Sequence, residues 1–160
     1  MNKSSFKRID QHIAKQMKLW GMPALRISFA IIFFWFGILK PFGLSAAEGL
    51  LKATVAWLPF GSPEQWLSII GWWEVVIGIT FLFRLTTRIA IALLFIQMVG
   101  TFMPLVILPE VTFQDSNILM PTIEGQYIIK NLMVISAALV IGGSFYEKKS
   151  PKAREEKTSF

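Results

Sequence analysis

Residues 66–83 read WLSIIGWWEVVIGITFLF, eighteen positions with one ionisable side chain, Glu74. At about 1.5 Å per residue a helix of this length runs ~27 Å, close to the ~30 Å hydrocarbon core of a bilayer. A run this long and this apolar predicts a transmembrane helix rather than an element of a soluble core. Just before it, Ser62-Pro63-Glu64-Gln65 is a helix start. Ser62 is the cap, Pro63 suits the first helical position, and Gln65 closes a capping box. Just after it, Arg84-Leu85-Thr86-Thr87-Arg88 predicts a tight turn with two cations, and Thr86 or Thr87 can cap the next helix.

Three more spans lie on either side. Upstream, LRISFAIIFFWFGIL at 25–39 is bracketed by Arg26 and Lys40, whose long stems can snorkel to the interfaces, and is bounded by Pro23 and Pro41. Downstream, spans are expected over about 87–108, with a kink at Pro104, and over about 123–145, capped by Thr122. The spans are thus about 24–40, 66–83, 87–108 and 123–145. The expected fold is all-α: a polytopic membrane four-helix bundle forming one domain over 24–146. No small-residue cleavage site follows the first run, so it reads as an uncleaved anchor.

Two shorter amphipathic segments complete this organisation. In residues 3–20, Phe6, Ile9, Ile13, Met17 and Trp20 form one stripe, with Lys7, Arg8, Gln11, Lys15 and Lys18 largely opposite. That pattern suits a helix on an anionic membrane surface, within an N-terminal segment 1–23. Residues 45–58 predict a helix too short to span, lying in the outer interface or re-entering, with a Ser45–Glu48 capping box and a Glu48–Lys52 pair. Residues 147–160 form a basic tail expected to be disordered.

Composition agrees and narrows the chemistry. Charged residues are 16% of the 160, against about 25% in soluble domains, and mean hydropathy is +0.55. The chain has no cysteine and one histidine, His12, so thiol redox chemistry and a metal or haem centre built from this chain alone are not expected. Of sixteen Lys and Arg, six fall in 1–26, two in 84–88 and five in the tail. With four spans these thirteen share one side, and the positive-inside rule places both termini in the cytoplasm. The same count explains the net charge of +6 without nucleic acid.

Ionisable groups within a span are expensive, so each needs a partner or a purpose. Glu74 in the second span and Lys130 in the fourth lie at matched depth, roughly 8–12 Å in, and are expected to pair, with Lys40 able to reach the same region. Gly71, Glu74 and Gly78 share one face of their span; Arg26, Ala30, Phe33, Gly37 and Lys40 share one of theirs. Gln126, Lys130 and Met133 do so in the fourth span, with Asn131 beside them, and Gln97 is mid-way along the third. The candidate polar cluster is therefore Glu74, Lys130, Lys40, Asn131, Gln126, Gln97 and Arg26. It serves either as a structural ion pair fixing helix register or as a polar pocket for a small molecule such as a quinone headgroup. A proton or ion path is a third use. Arg84 and Arg88 read as topology determinants.

The segments LRISFAIIFFWFGILKPFG, WWEVVIGITFLF, the TTR turn and TIEGQYIIKNLMVISAALVIGG resemble the DoxX-like membrane proteins over about residues 24–145. The last of these, with Gly125, Tyr127, Lys130 and Asn131, is the most specific. The resemblance implies a four-helix inner-membrane bundle whose relatives include proteins tied to quinone-linked thiosulfate oxidation and to oxidative or reactive-chlorine stress. It maps charged positions onto Arg26, Lys40, Glu74 and Lys130 and carries over no catalytic assignment. The expectation is a small membrane subunit or binding protein in redox or stress physiology, with quinone as the cofactor class it admits. A membrane or redox partner protein, or a homo-oligomer, is compatible with it. Alternatives are a membrane subunit of a quinone-linked oxidoreductase, a small transporter and a structural component.

Overall fold

The structure, a computed structural model, describes residues 3–147; the tail expected at 147–160 lies outside the described residues apart from Glu147. The fold is all-α. Its elements are α1 (Lys3–Leu39), α2 (Glu48–Val55), α3 (Pro63–Leu82), α4 (Thr87–Phe102), α5 (Pro104–Ile107), α6 (Pro109–Thr112), a 3-10 turn (Gln114–Ser116), α7 (Ile123–Ile129) and α8 (Asn131–Glu147). Four stretches are long and apolar enough to cross a membrane: Lys7–Leu39, Pro63–Leu82, Thr87–Ile107 and Ile123–Phe145.

α1 differs from expectation at its N-terminal part. The amphipathic segment and the first span form one helix of 37 residues, with Pro23 inside it. A proline ring fixes a φ value that is itself helical, so Pro23 removes one backbone hydrogen bond without ending the helix. The Ser62 cap forms as expected: Ser62 Oγ accepts from Gln65 N at 3.2 Å, and Gln65 Oε1 accepts from Ser62 N at 2.9 Å. The Ser45 box does not form. α2 begins at Glu48 after Ala47, and Ser45 Oγ instead accepts from Ala47 N at 3.3 Å. Its Glu48–Lys52 pair is present at 2.9 Å, and Lys52 also reaches Glu64 on α3 at 3.1 Å, so α2 is tied to the start of α3. Hydrogen bonds to Glu48 and then Glu64 hold the Lys52 ammonium above its ordinary pKa. Pro104 breaks the third span after Met103.

The core draws on four helices: Phe29, Ala30 and Phe33 of α1, Ile77 and Phe81 of α3, Ala90, Leu94 and Met98 of α4, and Ala138 and Ile141 of α8. The opposite faces are as apolar as the core yet exposed, with Ile31, Trp72, Val99 and Leu139 all at least half open. A belt of that size on a monomer is stable when hydrocarbon covers it.

The tightest seam joins α1 and α3. A Cβ on Gly37 would lie 2.8 Å from the Glu74 Cβ and from backbone atoms of Gly71 and Val75. One on Gly71 would lie 2.8 Å from Gly37 O and Lys40 Cβ, and one on Gly78 would lie 2.6 Å from Phe34 N. The two helices interlock through absent side chains, the small-residue packing available to helices that gain no hydrophobic drive from lipid. This seam runs along the two faces read from the sequence, and it sets the register of the site.

The loop between the third and fourth spans is folded. Phe113 and Pro121 form an isolated antiparallel bridge. Asp115 and Ser116 turn the chain in the left-handed region, at φ 49° and 57°. Thr122 Oγ1 donates to Val111 O at 2.7 Å and accepts from Gly125 N at 3.2 Å, so one hydroxyl fastens the loop and caps α7. Gly125 is held so close to the Thr112 carbonyl that any Cβ there would collide with it.

Candidate functional site

The interlocked glycines place Lys40, at the end of α1, directly beside Glu74 of α3. Lys40 Nζ forms an ion pair with Glu74 Oε2, and the two side chains are 8% and 13% exposed. The other carboxylate oxygen, Oε1, accepts from Gln97 Nε2 of α4 at 2.9 Å. Lys40 Nζ also lies 3.4 Å from the carbonyl of Phe36, one turn back on its own helix. Three spans thus each contribute one polar side chain to a single, largely buried cluster. Trp73, next to Glu74, donates to Leu93 O at 3.3 Å and adds a second polar link between α3 and α4.

Each member satisfies a need of the others. Glu74 is acceptor-only when ionised, and both of its oxygens are engaged by donors. Lys40 and Glu74 offset each other's charge away from water, which makes a buried pair tolerable where a lone charge is not. An ammonium carries three donors, and two of those on Lys40 are directed at Glu74 and Phe36.

The pairing differs from the Glu74–Lys130 one anticipated from matched depth. Lys130 is exposed, with its ammonium 5.1 Å from the centre of the Tyr127 ring, a cation–π placement one turn back along its own chain. Depth alone left the azimuth open. α7 and α8 pack against α4 and α1, whereas the α1–α3 seam brings Lys40 to Glu74. The fourth span is also broken at Lys130, between α7 and α8. Asn131 serves that break rather than the cluster: its Nδ2 donates to Tyr127 O at 3.0 Å and Ile128 O at 3.1 Å. Gln126 is exposed and its Nε2 lies 3.4 Å from Pro121 O, on the loop.

Arg26 lies at the other end of the α1–α3 seam. Its Nη2 donates to Phe81 O and Leu82 O, both at 3.1 Å, satisfying carbonyls that the last turn of α3 leaves without helical partners. Thr86 Oγ1 takes Thr80 O at 2.7 Å, so the α3–α4 turn is closed from both sides. Of the seven candidate residues, the structure gathers Lys40, Glu74 and Gln97. It places Arg26 at the opposite end of the same seam and sets Gln126, Lys130 and Asn131 on the α7–α8 segment. The Phe36 carbonyl is the participant that side-chain chemistry could not have indicated.

The family model DoxX matches residues 21–107. The matched stretch contains α1 from Gly21 onward, α2, α3, α4 and α5, and therefore all of the Lys40–Glu74–Gln97 cluster; it ends before the last span. No curated protein matches the chain, and no solved structure does.

Proposed function

The chain belongs to the DoxX family of membrane proteins, and we propose that it is a small binding subunit of the bacterial inner membrane that holds a polar headgroup at the Lys40–Glu74–Gln97 cluster. In this reading both termini and the Arg84–Arg88 turn face the cytoplasm, an orientation that the distribution of Lys and Arg supports. The observation that carries the reading is the convergence of three polar side chains from three spans inside an apolar bundle. A carbonyl-bearing headgroup, such as that of a quinone, fits the chemistry: the third ammonium donor of Lys40 and the carboxamide of Gln97 are hydrogen-bonding groups suited to carbonyl oxygens. The sequence has no cysteine to relay electrons through a thiol, and the proposed role in redox or stress physiology is one of binding beside a partner that supplies the electrons.

The test is a titration of purified protein in nanodiscs with a short-chain quinone, followed by tryptophan fluorescence; Trp73 lies beside the cluster. The Lys40→Met/Glu74→Met double variant removes both charges together, a change that often leaves a buried site's stability unaltered or improved. Saturable binding by the native protein, lost in a double variant that unfolds like the native protein, supports the proposal. Absence of saturable binding by the native protein refutes it and leaves the cluster a fastening between helices.

A further inference from the structure

The first part of α1 is not covered by the rest of the bundle. Every described side chain from Lys7 to Gly21 is exposed, including Ile9, Ile13, Met17 and Trp20, each more than half open. α1 has 37 residues, about 55 Å of helix, so some 25 Å stands beyond a ~30 Å hydrocarbon core. Left upright, that length would hold an apolar stripe in water.

The phase of the stripe indicates where it goes. Positions 9, 13, 17, 20, 24, 27, 31 and 35 recur every three or four residues, so Ile9, Ile13, Met17 and Trp20 continue the line of Ile27, Ile31 and Trp35. Those last three are exposed on the face of α1 that lipid covers. A helix that bends outward, toward its own lipid-facing side, brings that same line down onto the membrane surface. Lys7, Arg8, Lys15 and Lys18 lie on the roughly opposite side, with Asp10 as the one acidic residue among them.

The joint for such a bend is Gly21-Met22-Pro23. Pro23 has no N–H to close the helical bond to Leu19 O, and a Cβ on Gly21 would meet nothing within 4 Å. A crevice of about 600 Å³ opens beside it, lined by Met17, Lys18, Gly21, Met22, Leu25 and Val140. Met22 packs against the core on the inner side of the joint, while Gly21 and Pro23 are exposed, so the bundle anchors the joint and leaves its outer side free to bend.

From phase, charge and joint together, we infer that residues 7–20 form an arm that swings about Gly21–Pro23 and docks on the anionic lipid surface at the basic end of the bundle. The partner is the phosphate-bearing surface of the bilayer. The arm therefore reports the charge of its own leaflet: it lies down where anionic lipid is abundant and stands up where it is scarce. Each Lys or Arg near such a surface contributes roughly a fivefold factor to the docked-to-upright ratio.

Because the chain lacks cysteine, a single spin label at Ile13→Cys in the full-length protein reads the arm alone. The label is compared in nanodiscs of pure phosphatidylcholine and in nanodiscs rich in phosphatidylglycerol, using accessibility to oxygen against a water-soluble nickel chelate. The expected result is nickel accessibility in the neutral membrane and a switch to oxygen accessibility in the anionic one. Lys15→Gln/Lys18→Gln is expected to cut the docked-to-upright ratio by roughly 25-fold in the anionic membrane. Nickel accessibility in both membranes overturns the inference, as does equal protection in both, which would make charge irrelevant. Spin–spin broadening at Ile13 that is independent of lipid charge overturns it in favour of a second copy of the chain.

Discussion

Replacing Gly78 by alanine is expected to part α1 from α3. The new Cβ would sit 2.6 Å from Phe34 N and 2.9 Å from both Ala30 O and Phe34 Cα. Ordinary contacts between such atoms need about 3.5–4.0 Å, so the deficit is roughly 1 Å, and all three obstacles are backbone that no rotamer change can move. The helices must separate, and a gap of about 0.5–1 Å forfeits a quarter to a half of the dispersion attraction at each affected contact. Overpacking of this kind costs about 1–3 kcal/mol, set against about 1 kcal/mol gained from alanine's higher helix propensity. The net expectation is a loss of about 0–2 kcal/mol relative to the native protein, and about 1–3 kcal/mol relative to an alanine placed where it meets nothing, with weakening of the Lys40–Glu74 pair carried by the same seam. Gly100→Ala is the control, since its Cβ would meet nothing within 4 Å, and it should be neutral or slightly stabilising. Unfolding by SDS in mixed micelles, followed by circular dichroism, measures both. Equal midpoints for the Gly78 and Gly100 variants would refute the close-packed seam.

Gly125→Ala should disrupt the loop–α7 junction, because its Cβ meets the Thr112 carbonyl; limited proteolysis should open the 109–122 loop while far-UV dichroism changes little. Arg26→Leu removes two hydrogen bonds to the end of α3 and should cost about 1–3 kcal/mol in the same SDS assay, against less than about 0.5 for exposed Arg88→Gln. In intact spheroplasts a membrane-impermeant maleimide should label Asn117→Cys and leave Leu85→Cys unlabelled until the membrane is opened. The reverse pattern would invert the proposed orientation.

The spans and the seam were legible because they depend on periodicity. The face containing Gly71, Glu74 and Gly78 and the face containing Ala30, Phe33, Gly37 and Lys40 could be drawn from residue spacing, and they are the faces that meet. What spacing cannot supply is azimuth between helices that are distant in sequence. Glu74 has Lys40 and Lys130 at comparable depth, and the choice rests on which backbone can approach closest, a property of the glycines on both sides. Local competition decided the rest. Pro23 falls where its φ suits a continuing helix, Ser45 spends its hydroxyl on the turn before α2, and Lys130 stands at a break whose freed carbonyls Asn131 takes up. None of these outcomes follows from a residue type alone, since each depends on which of two available partners lies nearer.

The central structural claim is that Glu74 is coupled to Lys40 across the α1–α3 seam, and a pair of double-mutant cycles tests it most directly. Lys40→Met and Glu74→Gln, singly and together, should show a coupling of about 1.5 kcal/mol or more in SDS unfolding. Lys130→Met with Glu74→Gln should be additive within about 0.5 kcal/mol. Additivity in the first cycle together with coupling in the second would contradict the account and return Lys130 to the side of Glu74.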